Sequence, residues 1–463
     1  MTPIKPTAFE IDYHDPALLF AKLAIKPGLL FLDSSDHHLN PTPHNRYSYL
    51  AFEPLSWISL SQTEQPGSPL FGAIDTFLSS IRRDTLPNLP PFQGGLAGFL
   101  SYDLAHLLTA TKRPLNTLHT FPYYTLACYD WVLSYDHQQQ RAWFVHQPQL
   151  ITGLKRPSSK MLFKQVQGHI KKRLTLQEQM RLQESAKPVE LTSRCEHATY
   201  LQQVQQIIAA INQGTVFQTN LTQRWQTKLI QPPHMTYQKL RQLNPAPYSG
   251  YFQLTQDSVI ASSSPECFLK KRKHHIASYP IKGTINRSQC NKQDIVNQTT
   301  LKNNPKDLAE HIMIVDLIRN DLAKIAEANS VHVEELAACY PFANLHHLIA
   351  KISATLKPNL TYQELLEATF PCGSITGAPK LSAMNLIRQL EQENRGPYCG
   401  ALGYFSVDGS MDLSVLIRTL LFHENHCTFS AGGAIVRDSD PLQEANESLL
   451  KINRIKQALR FHS

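Results

Sequence analysis

Two residues in the middle of the chain have the types needed for nucleophilic catalysis with proton transfer. Glu266 stands in Ser264-Pro265-Glu266, and Lys282 stands in Tyr279-Pro280-Ile281-Lys282-Gly283-Thr284. Both lie at the ends of runs that read as strands. A lysine desolvated among apolar neighbours loses part of its preference for the charged form, and its neutral amine is a nucleophile. A nearby carboxylate would shuttle the proton. The plainer alternative is a lysine reaching from a strand end to water and a glutamate on a turn.

Carboxylates form a second group. Asp307 and Glu310 share one face of a helical segment, and Glu444 and Glu447 repeat that spacing near the C-terminus. Facing each other, the two pairs would hold a hard cation such as Mg²⁺, which takes one or two carboxylates, waters and an anionic substrate. Acidic first turns that complement the helix dipole are the alternative. Small-residue loops form a third group. Gly373-Ser374-Ile375-Thr376-Gly377-Ala378-Pro379-Lys380 leads into a helix start, and Ala431-Gly432-Gly433-Ala434 follows a strand. Free backbone N–H groups in such places bind anions, and tight turns would look the same. Neither loop matches a P-loop or a dinucleotide fingerprint. Arg418, in Leu416-Ile417-Arg418-Thr419, is flanked by apolar residues and needs an anionic partner if it faces inward. Together these groups suit a small dianionic substrate, one hard metal ion and an amine nucleophile.

The elements that must position them read as follows. Leu29–Leu32, Tyr47–Phe52, Tyr123–Tyr135 and Arg141–Val145 are strand candidates in a β-rich first third, and Gly94–Phe99 is small and apolar, which lets backbones approach closely. Phe163–Leu182 has helical spacing within a polar stretch, 154–192, that reads as a linker. Ser193 and Glu196 have capping-box spacing before a helix striped by Tyr200, Val204, Ile207, Ile208 and Ile211, which Gly214 would close. Val216–Leu221 is a strand. The spacing predicts a helix over 305–326, with Leu308, Ile312, Val315, Ile318, Leu322 and Ile325 on its apolar face. Further helices start near Lys380 and run from about Pro441 to Phe461. Hairpins and helices without a βαβα rhythm predict an α+β fold with antiparallel sheets.

Length and composition narrow the class. At 463 residues the chain is too long for one small domain, and 42% hydrophobic residues suffice for a packed core. A net charge of +8 suits an anionic substrate. The densest basic run, Lys270–His275, sits between two strand-like stretches, so it reads as a hairpin tip and not a nucleic-acid patch. The eight cysteines form no Cys-x-x-Cys pair, as expected of free thiols in a reducing cytoplasm. The N-terminal residues show no apolar signal segment, and nowhere is there an apolar run of about 18 residues that would span a membrane.

In order and spacing, these motifs resemble those of chorismate-utilising enzymes of the anthranilate and aminodeoxychorismate synthase family. The matching segments are Gly214–Thr222, Ser262–Glu266, Pro280–Thr284, Glu310–Leu322, Phe370–Lys380, Gly400–Tyr404, Met411–Thr419 and Ala431–Ser439, with Phe92–Asp103 and Tyr129-Asp130-Trp131 in the first lobe. The resemblance implies two intertwined lobes of antiparallel sheet with helices outside: an N-terminal lobe over 1–153, a helical linker over 154–192 and a chorismate-binding catalytic domain over 193–463. Lys282 stands where anthranilate synthases usually carry Ala, which points to the aminodeoxychorismate branch. Gln218 stands where isochorismate and salicylate synthases place a water-activating Lys. The branch implies Lys282 as covalent nucleophile and Glu266 as acid/base. It implies Mg²⁺ on Glu310 and Glu447, with Glu444 and Asp307 as further candidates. Tyr404, Arg418 and Gly432, Gly433 and Ala434 would hold substrate carboxylates, and Thr376, Gly377, Ala378 and Lys380 the enolpyruvyl side. Cys372 and Ala434 depart from the usual small residues. No amidotransferase domain is evident, so ammonia is expected from a separate glutamine amidotransferase subunit. Some N-terminal lobes in the family also bind tryptophan. The competing readings are anthranilate synthase component I, of tryptophan biosynthesis, and a non-catalytic tryptophan- or chorismate-binding protein.

Overall fold

Alternating and wholly apolar strand sequences assemble into two antiparallel sheets, of twelve and ten strands among the described residues. The computed structural model describes residues 5–459, apart from 25, 39–41, 43, 62–71, 110, 112–120, 152, 155, 172–189, 230, 343–344 and 392. In the larger sheet Thr7–Ile11, Arg141–His146, Trp131–Asp136, Tyr47–Ala51 and Leu30–Asp33 lead to Tyr248–Gln253, Ser258–Ser264, Thr419–His423, His426–Ile435, Gln218–Lys228 and Gly377–Ala378. Phe31 opposite Tyr251 joins the early strands to the late ones. In the smaller sheet Ile281–Asn286, Leu345–Thr355, His275–Tyr279, Cys267–Arg272, Met411–Val415 and Ala401–Ser406 continue into Gly95–Leu100, Tyr124–Tyr129 and Ser56–Leu60. Here the join is Gly98 opposite Gly403. The early and late regions are therefore intertwined in both sheets, as an α+β chain of this kind was expected to be.

A core of Leu30, Tyr49, Phe92, Phe99, Tyr129, Phe252 and Tyr404 fills the space between the sheets. Each such side chain contributes roughly 1.5–3 kcal/mol through removal from water. Outside, His197–Asn212 and Pro441–Lys451 cover the Gln218–Lys228 and His426–Ile435 strands, while Asn291–Lys302 and Pro305–Ala323 cover Ile281–Asn286 and Leu345–Thr355. Among the described residues no helix is long and apolar enough to cross a membrane.

Several local expectations need correction. The run 123–135 is two strands that break at Asp130 and enter different sheets. Asp130 is buried and ion-paired with Arg156, so the chain crosses between sheets where its carboxylate is neutralised. No capping box forms at Ser193. Thr192–Ser193 is held in a ladder with Trp225–Gln226, and the helix starts only after Glu196, which provides no side-chain cap. Gly214 does close that helix, at φ +76°. The helix over Pro305–Ala323 buries His311, Ile314, Val315, Ile318, Asp321 and Leu322, while Ile312 is 46% exposed. Two polar residues thus displace part of the expected apolar stripe. The C-terminal helix is two, Pro441–Lys451 and Asn453–Leu459. The helix after residue 158 spans Ser159–Lys171, and its expected continuation to Leu182 lies outside the described residues, as does Phe461. The basic run does form a hairpin tip, but Lys270 pairs with Asp412, and Arg272 donates to the Tyr404 hydroxyl at 2.9 Å.

Candidate active site

Lys282 lies in Ile281–Asn286, an outer strand of the smaller sheet. It sits opposite Leu348, Thr284 sits opposite His347, and Gly283 is the extra residue of a β-bulge between them. Gly283 has φ +72°, and a Cβ there would lie 3.1 Å from Leu301 Cδ1 and 3.3 Å from Asp307 Cβ. Only glycine satisfies both the left-handed backbone and the approach of the covering helix. Burial pushes the Lys282 amine below its ordinary value, and Lys451 pushes the same way, while Glu310, Glu266 and Glu447 oppose them. The part-buried lysine is therefore desolvated, with three carboxylates partly offsetting that effect.

Glu266 follows the Ser258–Ser264 strand and is 4% exposed. Burial raises its carboxyl to about 7, against the Ser374 hydrogen bond and the charges of Lys282 and Arg418. Ser374 Oγ donates to Glu266 Oε1 at 2.5 Å. A carboxyl that titrates near neutrality beside a desolvated amine is suited to proton exchange with it.

The two acidic helix starts converge on the same place. Asn304 caps Pro305–Ala323 and Asp440 caps Pro441–Lys451, each through its side chain. Burial raises the Glu310 carboxyl, with Asp307 and Glu444 adding like-charge repulsion against Lys282 and Lys306. Glu444 is raised by burial and by Glu447, although Ser439 Oγ donates to it at 2.7 Å. Partial burial would raise Glu447, whose side chain is still 56% exposed, but Lys451, at 2.7 Å, together with Lys306 and Lys282 holds it below its ordinary value. The Gly433 backbone faces this group. A Cβ there would stand 3.2 Å from Glu444 Oε2, 3.5 Å from Lys451 Nζ and 3.7 Å from Glu447 Oε1.

Among the described residues no three His, Cys, Asp or Glu side chains are gathered into a ready-made metal cage. A cage is not what Mg²⁺ requires: one or two carboxylates and a substrate oxygen suffice. Glu310 and Glu444, raised by burial and in part by neighbouring carboxylates, have like-charge repulsion, opposed by Lys282, Lys306 and Lys451, that a cation would reduce further. The donor set fits.

Arg418 has φ +52°, a strained setting for a side-chain residue. Its guanidinium touches Asn244 Oδ1 at 3.3 Å, and burial lowers it to about 10, with Glu266 opposing. Among the described residues no carboxylate is within ion-pair distance of it, so it is poised for an incoming anion. Gly377–Ala378 pairs with Gln218–Thr219, and a Cβ on Gly377 would collide with the Gln218 carbonyl. Thr376 Oγ1 donates within its own turn, to the Cys372 and Gly373 carbonyls, both at 3.2 Å. The loop is thus placed beside Glu266 through Ser374. Gly432 and Ala434 flank Gly433 on the strand that pairs with Gln218–Lys228.

Two expected site residues are placed elsewhere. Lys380 is held by Asp321 and the Thr369 carbonyl, so its charge anchors the loop to the Pro305–Ala323 helix. Tyr404 is buried between the sheets, stacked on Phe92, and lines a separate pocket with Asp33, Ser34, His44, Tyr248 and Lys270. Both departures have one cause: a cation or hydroxyl met first by a protein partner is no longer free for substrate. Four residues of the site had been given no role from the sequence. Lys451, one helical turn after Glu447, was findable by spacing, and Lys306, beside Asp307, by adjacency. Ser374 and Asn244 gave no signal, because their partners are distant in sequence.

The model of the chorismate binding enzyme family matches residues 36–457. Aminodeoxychorismate synthase component 1 of Klebsiella aerogenes is 33% identical over 450 residues, 94% of this chain and 94% of that protein. Anthranilate synthase component 1 of Saccharomyces cerevisiae is 30% identical, over 88% of this chain and 82% of that protein. The crystal structure of anthranilate synthase component I from Streptococcus pneumoniae superposes with a TM-score of 0.79 at 28% identity, covering 91% of this chain and 94% of that one. Likeness in sequence and in fold, running along nearly the whole chain, makes this protein a member of the chorismate binding enzyme family.

Proposed function

We propose that this enzyme converts chorismate and ammonia to 4-amino-4-deoxychorismate, the step that leads to para-aminobenzoate and folate. The observation that carries the reading is Lys282: an amine lowered by burial, beside a carboxyl that titrates near neutrality. Attack of the Lys282 amine on C2 of chorismate shifts the ring double bonds and breaks the C4–O bond. Glu266 gives its proton to the departing hydroxyl, which leaves as water, and recovers one from the alkylated lysine. Ammonia then attacks C4, the double bonds shift back, Glu266 returns its proton to the Lys282 nitrogen, which leaves C2 as an amine, and the new ammonium at C4 gives a proton back to Glu266. The sum is chorismate plus ammonia to aminated product plus water. Glu310 and Glu447, with Glu444 beside them, would hold Mg²⁺, which supplies charge to bind the ring carboxylate. Arg418 and the Gly432–Ala434 backbone receive the other anionic groups.

The names of the relatives support the same reading, since component 1 implies a second component, and we propose that this partner supplies ammonia from glutamine. The pocket beside Tyr404 is the candidate place for tryptophan, because Tyr47, Tyr49 and Tyr248 give it an aromatic wall. Calorimetric titration with tryptophan tests it: heat that disappears in Tyr47→Ala supports the pocket, and no heat in the wild type rejects it. The principal experiment incubates the purified chain with chorismate, Mg²⁺ and ammonium. Aminodeoxychorismate is expected, and glutamine should not replace ammonium. Anthranilate as the product would reverse the assignment.

A further inference from the structure

Ser374 lies 108 positions from Glu266 in sequence yet donates to its Oε1 at 2.5 Å, and both side chains are at most 5% exposed. The hydroxyl is itself held. Cys372 Sγ stands 3.2 Å from Ser374 Oγ, and burial pushes the Cys372 thiol up to about 12, so it keeps its proton and can donate to the hydroxyl. Asn220 Nδ2 donates to the Ser374 carbonyl at 2.7 Å, and the Asn220 N–H donates to the Thr376 carbonyl at 2.8 Å. The turn Gly373–Ile375 is therefore pinned to the Gln218–Lys228 strand, and the Ser374 hydroxyl proton points at Glu266.

We infer that Ser374 is a positioning residue for Glu266, its hydroxyl anchoring Oε1 so that the acidic proton resides on Oε2. The argument is one of valence: an oxygen already accepting from a serine is the poorer seat for the proton. The other groups facing Glu266 are Lys282 from the Ile281–Asn286 strand, Arg418 from the bend before Thr419–His423, Cys372 from the loop, and the backbone N–H of Ile281. Both cations favour the charged carboxylate, as do the Ile281 N–H and the serine, and the serine is the side chain that hydrogen-bonds Oε1. The inference rests on Glu266 being the acid/base of the proposed reaction.

The test compares Ser374→Ala, Ser374→Thr and Glu266→Gln for turnover of chorismate with ammonia across the neutral pH range, at constant free ammonia. Ser374→Ala should lower kcat by about tenfold or more with little change in the KM for chorismate. The limb of the pH profile controlled by Glu266 should move about one unit to higher pH, because a bond that favours the carboxylate is lost. Ser374→Thr should restore both. Should the alanine variant fail to fold, Ser374→Cys, a weaker donor of similar volume, should move the limb in the same direction by less. An unmoved limb in a folded variant that lacks the donor overturns the inference while leaving the reaction intact. Full activity of Glu266→Gln overturns the acid/base role itself, and the inference with it.

Discussion

At Glu310, Glu444 and Glu447 the site places three carboxylates against Lys282, Lys306 and Lys451. Substituting one carboxylate by its amide removes a charge from a set with few ligands. Glu447→Gln and Glu310→Gln should each reduce turnover by more than about tenfold at limiting Mg²⁺, with an unfolding midpoint near that of the wild type. Wild-type rates at limiting Mg²⁺ would remove the residue from the ligand set. Glu266 makes a different prediction. Its folded-state carboxyl titrates at about 7, above its ordinary 4.5. In that window the folded state holds a proton that the unfolded state has lost, so stability is fully present below about 4.5 and falls as pH rises through 7. Glu266→Gln, neutral throughout, should escape this loss and raise the thermal midpoint more above neutrality than in acid. A uniform change across pH would show that Glu266 is not the group responsible.

The Gly283 bulge places Lys282. An alanine there must take a left-handed backbone and press on Leu301, Leu348 and Asp307. Gly283→Ala should cost about 1–2 kcal/mol of stability and lower kcat by shifting the lysine. Denaturant unfolding and steady-state kinetics check both, and unchanged values would mean that the bulge has no part in placing the amine. Much of this level was legible in the sequence. Gly214 ended its helix, the 270–275 run turned a hairpin, and the paired acids stood on helices. What was not legible depended on partners remote in the chain. Asp130 breaks a strand because Arg156 and the second sheet receive it. Ser193 fails as a cap because Trp225 claims its backbone. Ile312 points outward because His311 and Asp321 are needed inside.

Across the whole molecule, strands from both ends of the chain interleave in each sheet, and the site depends on that weave. Lys282 comes from the edge region of the smaller sheet, Glu266 from the link between the two sheets, and the candidate metal-binding acids from two helices laid on different sheets. Composition and periodicity reached the α+β class, and motif order reached the family. The separation of Tyr404 and Lys380 from the site required coordinates, since each is diverted by a partner far away in sequence. The convergence of four elements on one desolvated lysine is the central claim, and covalent capture tests it most directly. Wild-type protein mixed with chorismate and Mg²⁺ without ammonia should gain the mass of a chorismate adduct less water, mapped by peptide analysis to Lys282, and Lys282→Ala should gain none. A wild type that forms no adduct, together with a Lys282→Ala variant that makes aminodeoxychorismate at an undiminished rate, would contradict it.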